Sequence, residues 1–106
     1  MIPSKLSSLL KTVKTIAIVG ASSNPQRDSY KVMKFLIDYG YEVFPVNPNE
    51  SNNKILNQKC YSNLIDIKKK IDMVEVFRSS KYVFDISKEA VSINADILWT
   101  QEGVIN

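Results

Sequence analysis

Apolar residues along this chain follow two patterns, continuous runs and helical spacing, and the two patterns alternate. Continuous runs are typical of parallel strands that are buried on both faces. They occur at residues 15–20 ("TIAIVG"), 41–48 ("YEVFPVNP"), 73–77 ("MVEVF") and 95–101 ("ADILWTQ"). Apolar residues three or four positions apart predict helices at residues 4–14, from 28 or 29 to 39, and from 79 or 80 to 94. The Asn-rich stretch at 49–63 predicts a loop with a short strand at 58–61, followed by a short helix at 64–70.

The spacing also predicts which side of each helix faces the core. The helix that ends near residue 39 is expected to turn Val32, Phe35, Leu36 and Tyr39 inward. Gly40 then stands where a glycine commonly ends a helix. The helix that follows residues 79–80 is expected to turn Val83, Ile86, Ala90, Val91 and Ile93 inward.

The alternation of strand and helix predicts the fold class. We expect one α/β domain over residues 1–106, a Rossmann-like, doubly wound parallel sheet in three α/β/α layers. In such sheets ligands bind beyond the carboxyl ends of the strands, where the strand order switches direction. The residues that follow each predicted strand are therefore the first candidates for a site.

Composition narrows the chemistry that such a site offers. The 106 residues carry a net charge of +3 that is scattered along the chain, which does not favour nucleic acid as a partner. With no histidine and one cysteine, Cys60, the chain cannot form a zinc site or a catalytic group that contains histidine, and we expect no metal. No run approaches the roughly 20 apolar residues of a membrane span. A single cysteine fits a reducing compartment, so we expect a cytoplasmic protein without membrane contact.

The residues after the first predicted strand suit an anion. Gly20 allows a tight turn, and the backbone N–H groups of residues 21–24 can face a phosphate. The next predicted helix points its positive end at the same place, and Ser22, Ser23 and Arg27 add side-chain donors. The same stretch is equally explained as a loop that leads into a well-capped helix, so the residues alone leave both interpretations open.

The end of the second predicted strand separates the ligand classes. Dinucleotide sites usually place an acidic residue there to bind the ribose, whereas this chain has Asn47 and Pro48. This difference disfavours a NAD(P) enzyme. The chain also lacks the Gly-Lys-Ser/Thr phosphate loop of one large class of ATPases.

The remaining candidates each keep two interpretations. Arg78, after the third strand, is either a phosphate partner or half of a salt bridge with Glu75 or Asp72. Gln101 and Gly103 either contact a ligand or form a turn. Cys60 is expected to be a packed thiol, because no base accompanies it in the sequence.

Three segments, in this order and spacing, resemble the small stand-alone CoA-binding proteins. The segments are "IAIVGASSNPQRDSYKVMKFLIDYGYEVFPVNPN", "IDMVEVFRSS" and "ILWTQEGVIN". These proteins are Rossmann-type domains similar to the N-terminal domain of the succinyl-CoA ligase alpha subunit, and the resemblance extends from about residue 14 to the end. It implies a domain that binds coenzyme A or an acyl-CoA, generally without an assigned reaction. Since the sequence shows no nucleophile–base pair and no metal ligands, we expect no enzyme activity of its own.

The resemblance also implies which residues contact the ligand. The loop of Gly20, Ala21, Ser22 and Ser23 corresponds to the family's loop at the CoA diphosphate. Arg27 and Ser29 correspond to an Arg-x-Ser pattern beside that loop. Val46, Asn47 and Pro48 correspond to the segment that packs beside the adenosine. Phe77 and Arg78, with Gln101 and Gly103, correspond to segments on the pantetheine side.

The chain departs from the family pattern at two places. Members commonly have a glycine before a Lys-x-Tyr segment, where this chain has Asn57, so the turn there is expected to differ. Members usually continue with a helix and a strand after the Gln-x-Gly turn, whereas this chain ends at Asn106, and we expect a homo-oligomer that covers the shortened side. Two other functions stay open: a NAD(P)-binding oxidoreductase or redox-sensing domain, and a regulatory or structural subunit without a ligand.

Overall fold

A computed structural model describes residues 11–51, 53–77, 95 and 97–100, the last four by their backbone. The strands are β1 (Thr15–Val19), β2 (Glu42–Val46), β3 (Lys54–Ile55), β4 (Gln58–Lys59), β5 (Met73–Val76) and β6 (Ile97–Thr100). Helix α1 (Asp28–Asp38) connects β1 to β2, and 3₁₀ turns occupy Pro48–Glu50 and Leu64–Asp66. The helix predicted from 79 or 80 to 94 lies outside the described residues, and of the helix predicted at 4–14 only residues 11–14, which are not helical, are described. No helix in this described part is long and apolar enough to cross a membrane.

The main sheet is parallel, with the strand order β2-β1-β5-β6. Ile16 of β1 lies between Val43 of β2 and Met73 of β5. The chain therefore places β2 on one side of β1 and then crosses to the other side for β5 and β6. This order confirms the predicted Rossmann-like, doubly wound sheet, and its direction switches between β1 and β5.

Apolar side chains cover both faces of the sheet, which explains the continuous apolar runs in the sequence. On the face toward α1, the cluster contains Ile16, Ile18, Met33, Leu36, Val43 and Met73. On the opposite face, a second cluster contains Ala17, Val19, Leu64, Ile67, Ile71, Val74 and Val76. All of these side chains are buried, and burial of one large aliphatic side chain stabilises the folded state by about 1.5–3 kcal/mol.

Helix α1 buries a different stripe from the predicted one. Its buried residues are Ser29, Met33 and Leu36, whereas Phe35 is 38% exposed and Tyr39 is 71% exposed. The two aromatic rings instead contact each other, with centroids 4.4 Å apart. The prediction is confirmed for Leu36, and Val32 packs partly buried against the core, but it is wrong for Phe35 and Tyr39. Two neighbouring stripes at helical spacing share Leu36, and the predicted stripe was not the one that faces the sheet. The stripe that faces the sheet begins at Ser29, whose small side chain leaves room for the first turn to pack.

The predicted end of α1 near residue 39 is confirmed, whereas the predicted extent of the helix at 64–70 is wrong. Gly40 follows the C-cap residue of α1 with a φ of 96°, and its N–H donates to the carbonyl of Ile37 at 2.9 Å. The helix predicted at 64–70 is only the 3₁₀ turn Leu64–Asp66, because Ile67 already has extended backbone angles. Leu64 and Ile67 are spaced as in a helix because both pack on the same face of the sheet.

The amino ends of β1 and β5 are tied together through Asp72. Its Oδ2 accepts the N–H of Lys14 at 2.8 Å and of Thr15 at 3.2 Å. Its own N–H donates to Thr15 Oγ1 at 2.9 Å. The hydrogen bond from the Lys14 N–H is the largest cause that holds the pKa of Asp72 below its usual value. These bonds fix the register of the two strands on either side of the switch point.

The hairpin β3–β4 was not predicted, because its turn lacks the usual glycine. Leu56 and Asn57 form the two-residue turn, and both have positive φ, 50° and 66°. Turns of this length favour the pair Asn-Gly, since both central residues need positive φ. Leu56 adopts this strained geometry while its side chain packs against the cluster on the α1 face.

Replacement of Asn57 by glycine is expected to stabilise the protein. Glycine adopts positive φ without a clash of Cβ, so Asn57→Gly should raise the free energy of unfolding by about 0.5 kcal/mol. Urea unfolding followed by circular dichroism measures the change. Asn53→Gly is the control, because Asn53 does not have positive φ and glycine there should be neutral or destabilising. A loss of stability in Asn57→Gly would contradict the assigned turn.

Candidate functional site

The loop after β1 starts with a turn that glycine makes possible. Gly20 has a φ of 86°, a conformation that side chains with a Cβ rarely adopt. The N–H groups of Gly20 and Ala21 both donate to the carbonyl of Val46, at 2.9 and 3.3 Å. The loop therefore crosses the carboxyl end of β2 before it reaches α1.

Asn47 joins this loop to two other segments. Its side-chain Nδ2 donates to the carbonyl of Ala21 at 2.8 Å, and its Oδ1 accepts the N–H of Asn49 at 2.9 Å. Its backbone N–H donates to the carbonyl of Tyr61 at 2.8 Å. The sequence assigned Asn47 to ligand contact through the family resemblance. The structure gives its side chain a second role, which is to hold the candidate site in shape.

Most backbone N–H groups of the loop already have partners inside the protein. The N–H of Ser23 donates to Glu50 Oε2 at 2.9 Å, and the N–H of Asn24 donates to Ser22 Oγ at 3.0 Å. Of the groups expected to face an anion at residues 21–24, only the N–H of Ser22 has no hydrogen-bond partner within the described residues. The expectation of four free donors is therefore wrong for three of them.

The start of α1 carries no side-chain cap. Arg27 is the N-cap residue, with φ −78° and ψ 145°, and its side chain makes no capping hydrogen bond. The first N–H groups of a helix have no partner within the helix, so without a cap they remain available to a ligand or to water. The side-chain cap that the alternative interpretation of this stretch expects is therefore absent at Arg27. Asp28 adds one negative charge to the same turn.

Arg27 is exposed and makes no ion pair with any described residue. It directly precedes the uncapped turn of α1, so its guanidinium and the helix N-terminus both attract negative charge. Asp28 and Glu50 oppose this attraction. The arrangement can hold an anion, and the acidic residues limit where that anion can lie.

The other predicted site residues lie in several environments. Ser29 is buried in the first turn of α1, Val46 is buried at the end of β2, and Pro48 is exposed in the turn that follows. Phe77 is half-buried, and its N–H continues the sheet by donating to the carbonyl of Val19 at 2.8 Å. Arg78, Gln101 and Gly103 lie outside the described residues.

Cys60 packs under the turn after β2, as the sequence predicted. Its Sγ donates to the carbonyl of Asn47 at 3.7 Å, and the residue is 1% exposed. Burial, and to a lesser extent the charge of Glu50, raise the pKa of the thiol, against an opposing hydrogen bond with the Asn47 backbone. No group of three His, Cys, Asp or Glu residues in the described ranges is placed to hold a metal ion.

Sequence reasoning missed Glu50, and it named Glu75 only as a salt-bridge partner for Arg78. Glu50 contacts the loop after β1, and its signal in the sequence is a carboxylate just beyond the Asn-Pro end of β2. Glu75 lies on β5 beside Ile18 of β1, on the face toward α1, where it is 2% exposed. Its Oε2 has no hydrogen-bond partner among the residues that the structure describes, and burial raises the pKa of this carboxyl to about 7. In the sequence, Glu75 stands within the apolar run "MVEVF", and nothing in that run indicated that its carboxyl is buried.

Comparison with known proteins identifies the family. Residues 14–106 match the family model described as a CoA binding domain. The chain belongs to the CoA-binding domain family. The resemblance that the sequence showed to CoA-binding domains is thus confirmed.

Relatives of this CoA-binding domain include small proteins and parts of ligases. An uncharacterized protein of Bacillus subtilis, YneT, is 39% identical over 106 residues, or 98% of this chain and 77% of that protein. The alpha subunit of the ADP-forming acetate–CoA ligase I of Pyrococcus furiosus is 34% identical over 80 residues, or 72% of this chain but 17% of the subunit. The solved structure of a hypothetical protein from Pyrococcus horikoshii superposes with a TM-score of 0.86 at 36% identity, and covers 100% of this chain and 73% of that one.

Glu75 makes the stability of this CoA-binding domain depend on pH. Its carboxyl has a folded-state pKa of about 7 against an ordinary 4.5, so the folded protein retains a proton that the unfolded chain releases. The stabilisation is complete below about pH 4.5, is lost as the pH rises through 7, and then stays lost. The total loss is about 3 kcal/mol at 1.36 kcal/mol per pKa unit.

We therefore expect Glu75→Gln to remove this slope. At pH 8 the variant should be more stable than the wild type, because the amide is never charged, and at pH 5 the two should be close. Urea unfolding at pH 5, 6, 7 and 8 measures the difference. Glu42→Gln, which changes an exposed residue, serves as the control and should run parallel to the wild type. Parallel curves for Glu75→Gln and the wild type would contradict the assignment.

Proposed function

We propose that this domain binds coenzyme A or an acyl-CoA at the carboxyl ends of β1 and β2. The ligand's diphosphate would lie between the loop that starts at Gly20 and the first turn of α1. The observation that carries the proposal is the uncapped start of α1 beside a glycine turn, in a chain of the CoA-binding domain family. Helix N-terminal N–H groups without a cap are suited to phosphate oxygens.

Charge supports the same placement. Arg27 stands at the start of α1 with an exposed side chain and no ion pair among the described residues, so no internal partner has to be released. A guanidinium binds a phosphate through two parallel hydrogen bonds. The Ser22 N–H adds one backbone donor beside it. These groups are fewer than a glycine-rich loop offers, which leaves Arg27 a large share of the anion binding.

We also propose that the domain binds its ligand without catalysing a reaction itself. The sequence has no histidine to act as a general base. The single thiol, Cys60, is buried with a raised pKa, so little of it is the reactive thiolate at neutral pH. The acetate–CoA ligase subunit matches over 17% of its length, so its reaction is not carried over to this domain. The expected cytoplasmic location and self-association remain predictions.

A thermal-shift panel tests the ligand. CoA or acetyl-CoA at about 100 times its Kd should add roughly 2.7 kcal/mol to the stability of the folded state. The panel also contains NAD, NADP and ATP at the same concentrations. A shift with NADP and none with CoA would overturn the proposal in favour of a NAD(P)-binding domain. A shift with none of the five compounds would favour a subunit without a nucleotide ligand.

Arg27→Ala tests the residues. The variant should bind CoA about tenfold more weakly, because a charge-assisted hydrogen bond is lost. Its own free energy of unfolding should stay within about 0.5 kcal/mol of the wild type, since the side chain is exposed. Lys34→Ala is the matched control: it removes a positive charge near the far end of α1, where Lys34 pairs with Asp38. Equal affinities in titration calorimetry for Arg27→Ala and Lys34→Ala would refute the role of Arg27.

A further inference from the structure

Glu50 brings a carboxylate into the candidate site from the end of β2. It closes the 3₁₀ turn Pro48–Glu50, and its N–H donates to the carbonyl of Asn47 at 3.0 Å. Its Oε2 accepts the N–H of Ser23 at 2.9 Å, across 27 positions of sequence. A negative charge is therefore fixed against the loop that follows β1.

Hydrogen bonds within the protein fix the position of this carboxylate. The turn that carries it is held by the Asn47 side chain, which accepts the N–H of Asn49 and donates to the carbonyl of Ala21. Glu50 is half-buried, and its charge reaches the buried thiol of Cys60, whose pKa it raises. Glu50 is thus held by its backbone N–H to Asn47, just after β2, and by its side chain to Ser23, in the loop after β1.

Acidic side chains in this region have a known use in parallel nucleotide-binding sheets. An acidic residue after the second strand accepts a hydrogen bond from a ribose hydroxyl. Here Asn47 and Pro48 follow the strand, so the sequence indicated that such an acidic residue was missing. The structure supplies one from Glu50. Its second oxygen, Oε1, has no hydrogen-bond partner within the described residues, so it can accept one from a ligand.

We propose that Glu50 determines specificity at the ligand's ribose. Its carboxylate accepts a hydrogen bond from a ribose hydroxyl and repels a phosphate at the same position. The inference rests on the proposed function, because it assumes that an adenosine lies at the end of β2. A carboxylate readily accepts a hydrogen bond from a hydroxyl group but repels a phosphate. The ribose of CoA carries a free 2′-hydroxyl next to a 3′-phosphate, whereas 3′-dephospho-CoA carries hydroxyls at both positions. The domain should therefore bind 3′-dephospho-CoA at least as tightly as CoA.

Titration calorimetry of CoA and 3′-dephospho-CoA with three proteins tests this inference. For the wild type, the ratio of the Kd for CoA to the Kd for 3′-dephospho-CoA should be one or more. Glu50→Gln keeps the shape and an acceptor oxygen but removes the charge, and should lower this ratio about tenfold. Glu42→Gln removes the same charge at the amino end of the five-residue β2, about 13 Å from its carboxyl end, beyond the Debye length of about 8 Å, and should leave the ratio unchanged.

The ratio separates this inference from the proposed function. If the wild type binds both compounds but Glu50→Gln changes the ratio by less than about threefold, the inference is wrong and CoA binding stands. A wild-type preference for CoA of about tenfold or more also overturns the inference. If the wild type binds neither compound, the proposed function fails and the inference fails with it. Should Glu50→Gln not fold, Glu50→Ala removes the same charge and must lower the ratio in the same direction.

Discussion

The Val46 carbonyl at the end of β2 and the side chain of Asn47 after it hold the loop on which the candidate site depends. Val19 and Val46 are paired neighbours, so β1 and β2 finish at the same level. The Val46 carbonyl then accepts two successive N–H groups from the loop, and the Asn47 amide binds the carbonyl of Ala21. The pairing of the two strands continues in this way beyond the sheet. Gly20 is needed because only a residue that tolerates positive φ lets the chain turn at that point.

This arrangement explains how the proposed phosphate site can be formed with one glycine. Glycine-rich loops bring several free N–H groups close to a phosphate, and each close approach needs a residue without Cβ. Here the N–H groups of Ala21, Ser23 and Asn24 are satisfied by the protein itself. The loop is ordered before any ligand arrives, so binding would need little further ordering of this segment. In the proposed function, anion binding would therefore fall to the start of α1, to Ser22 and to Arg27.

The fold was largely predictable from the sequence because the central strands are buried on both faces. A strand such as β1 appears as an unbroken apolar run, and Gly40 marks the end of α1 clearly. The inward face of α1 was only partly predictable, since Phe35 and Met33 are both apolar, lie on neighbouring stripes, and only the packing decides which of them is buried. The hairpin was missed because Leu56 takes a backbone conformation that its side chain does not favour. Local patterns predict elements, but they do not report which of two competing packings has the lower free energy.

The candidate site was predicted only in part, because its key contacts join residues far apart in sequence. Asn47 reaches Ala21 across 26 positions, and this contact exists only because β1 and β2 lie side by side. Glu75 shows the same limit in the core: the burial of its carboxyl next to Ile18 is set by the pairing of β1 with β5. Burial opposes the ionisation of this carboxyl, so its charged form is costly in the folded state. That cost lies beside the switch in strand order, where doubly wound sheets bind ligands and where natural proteins most often depart from ideal packing.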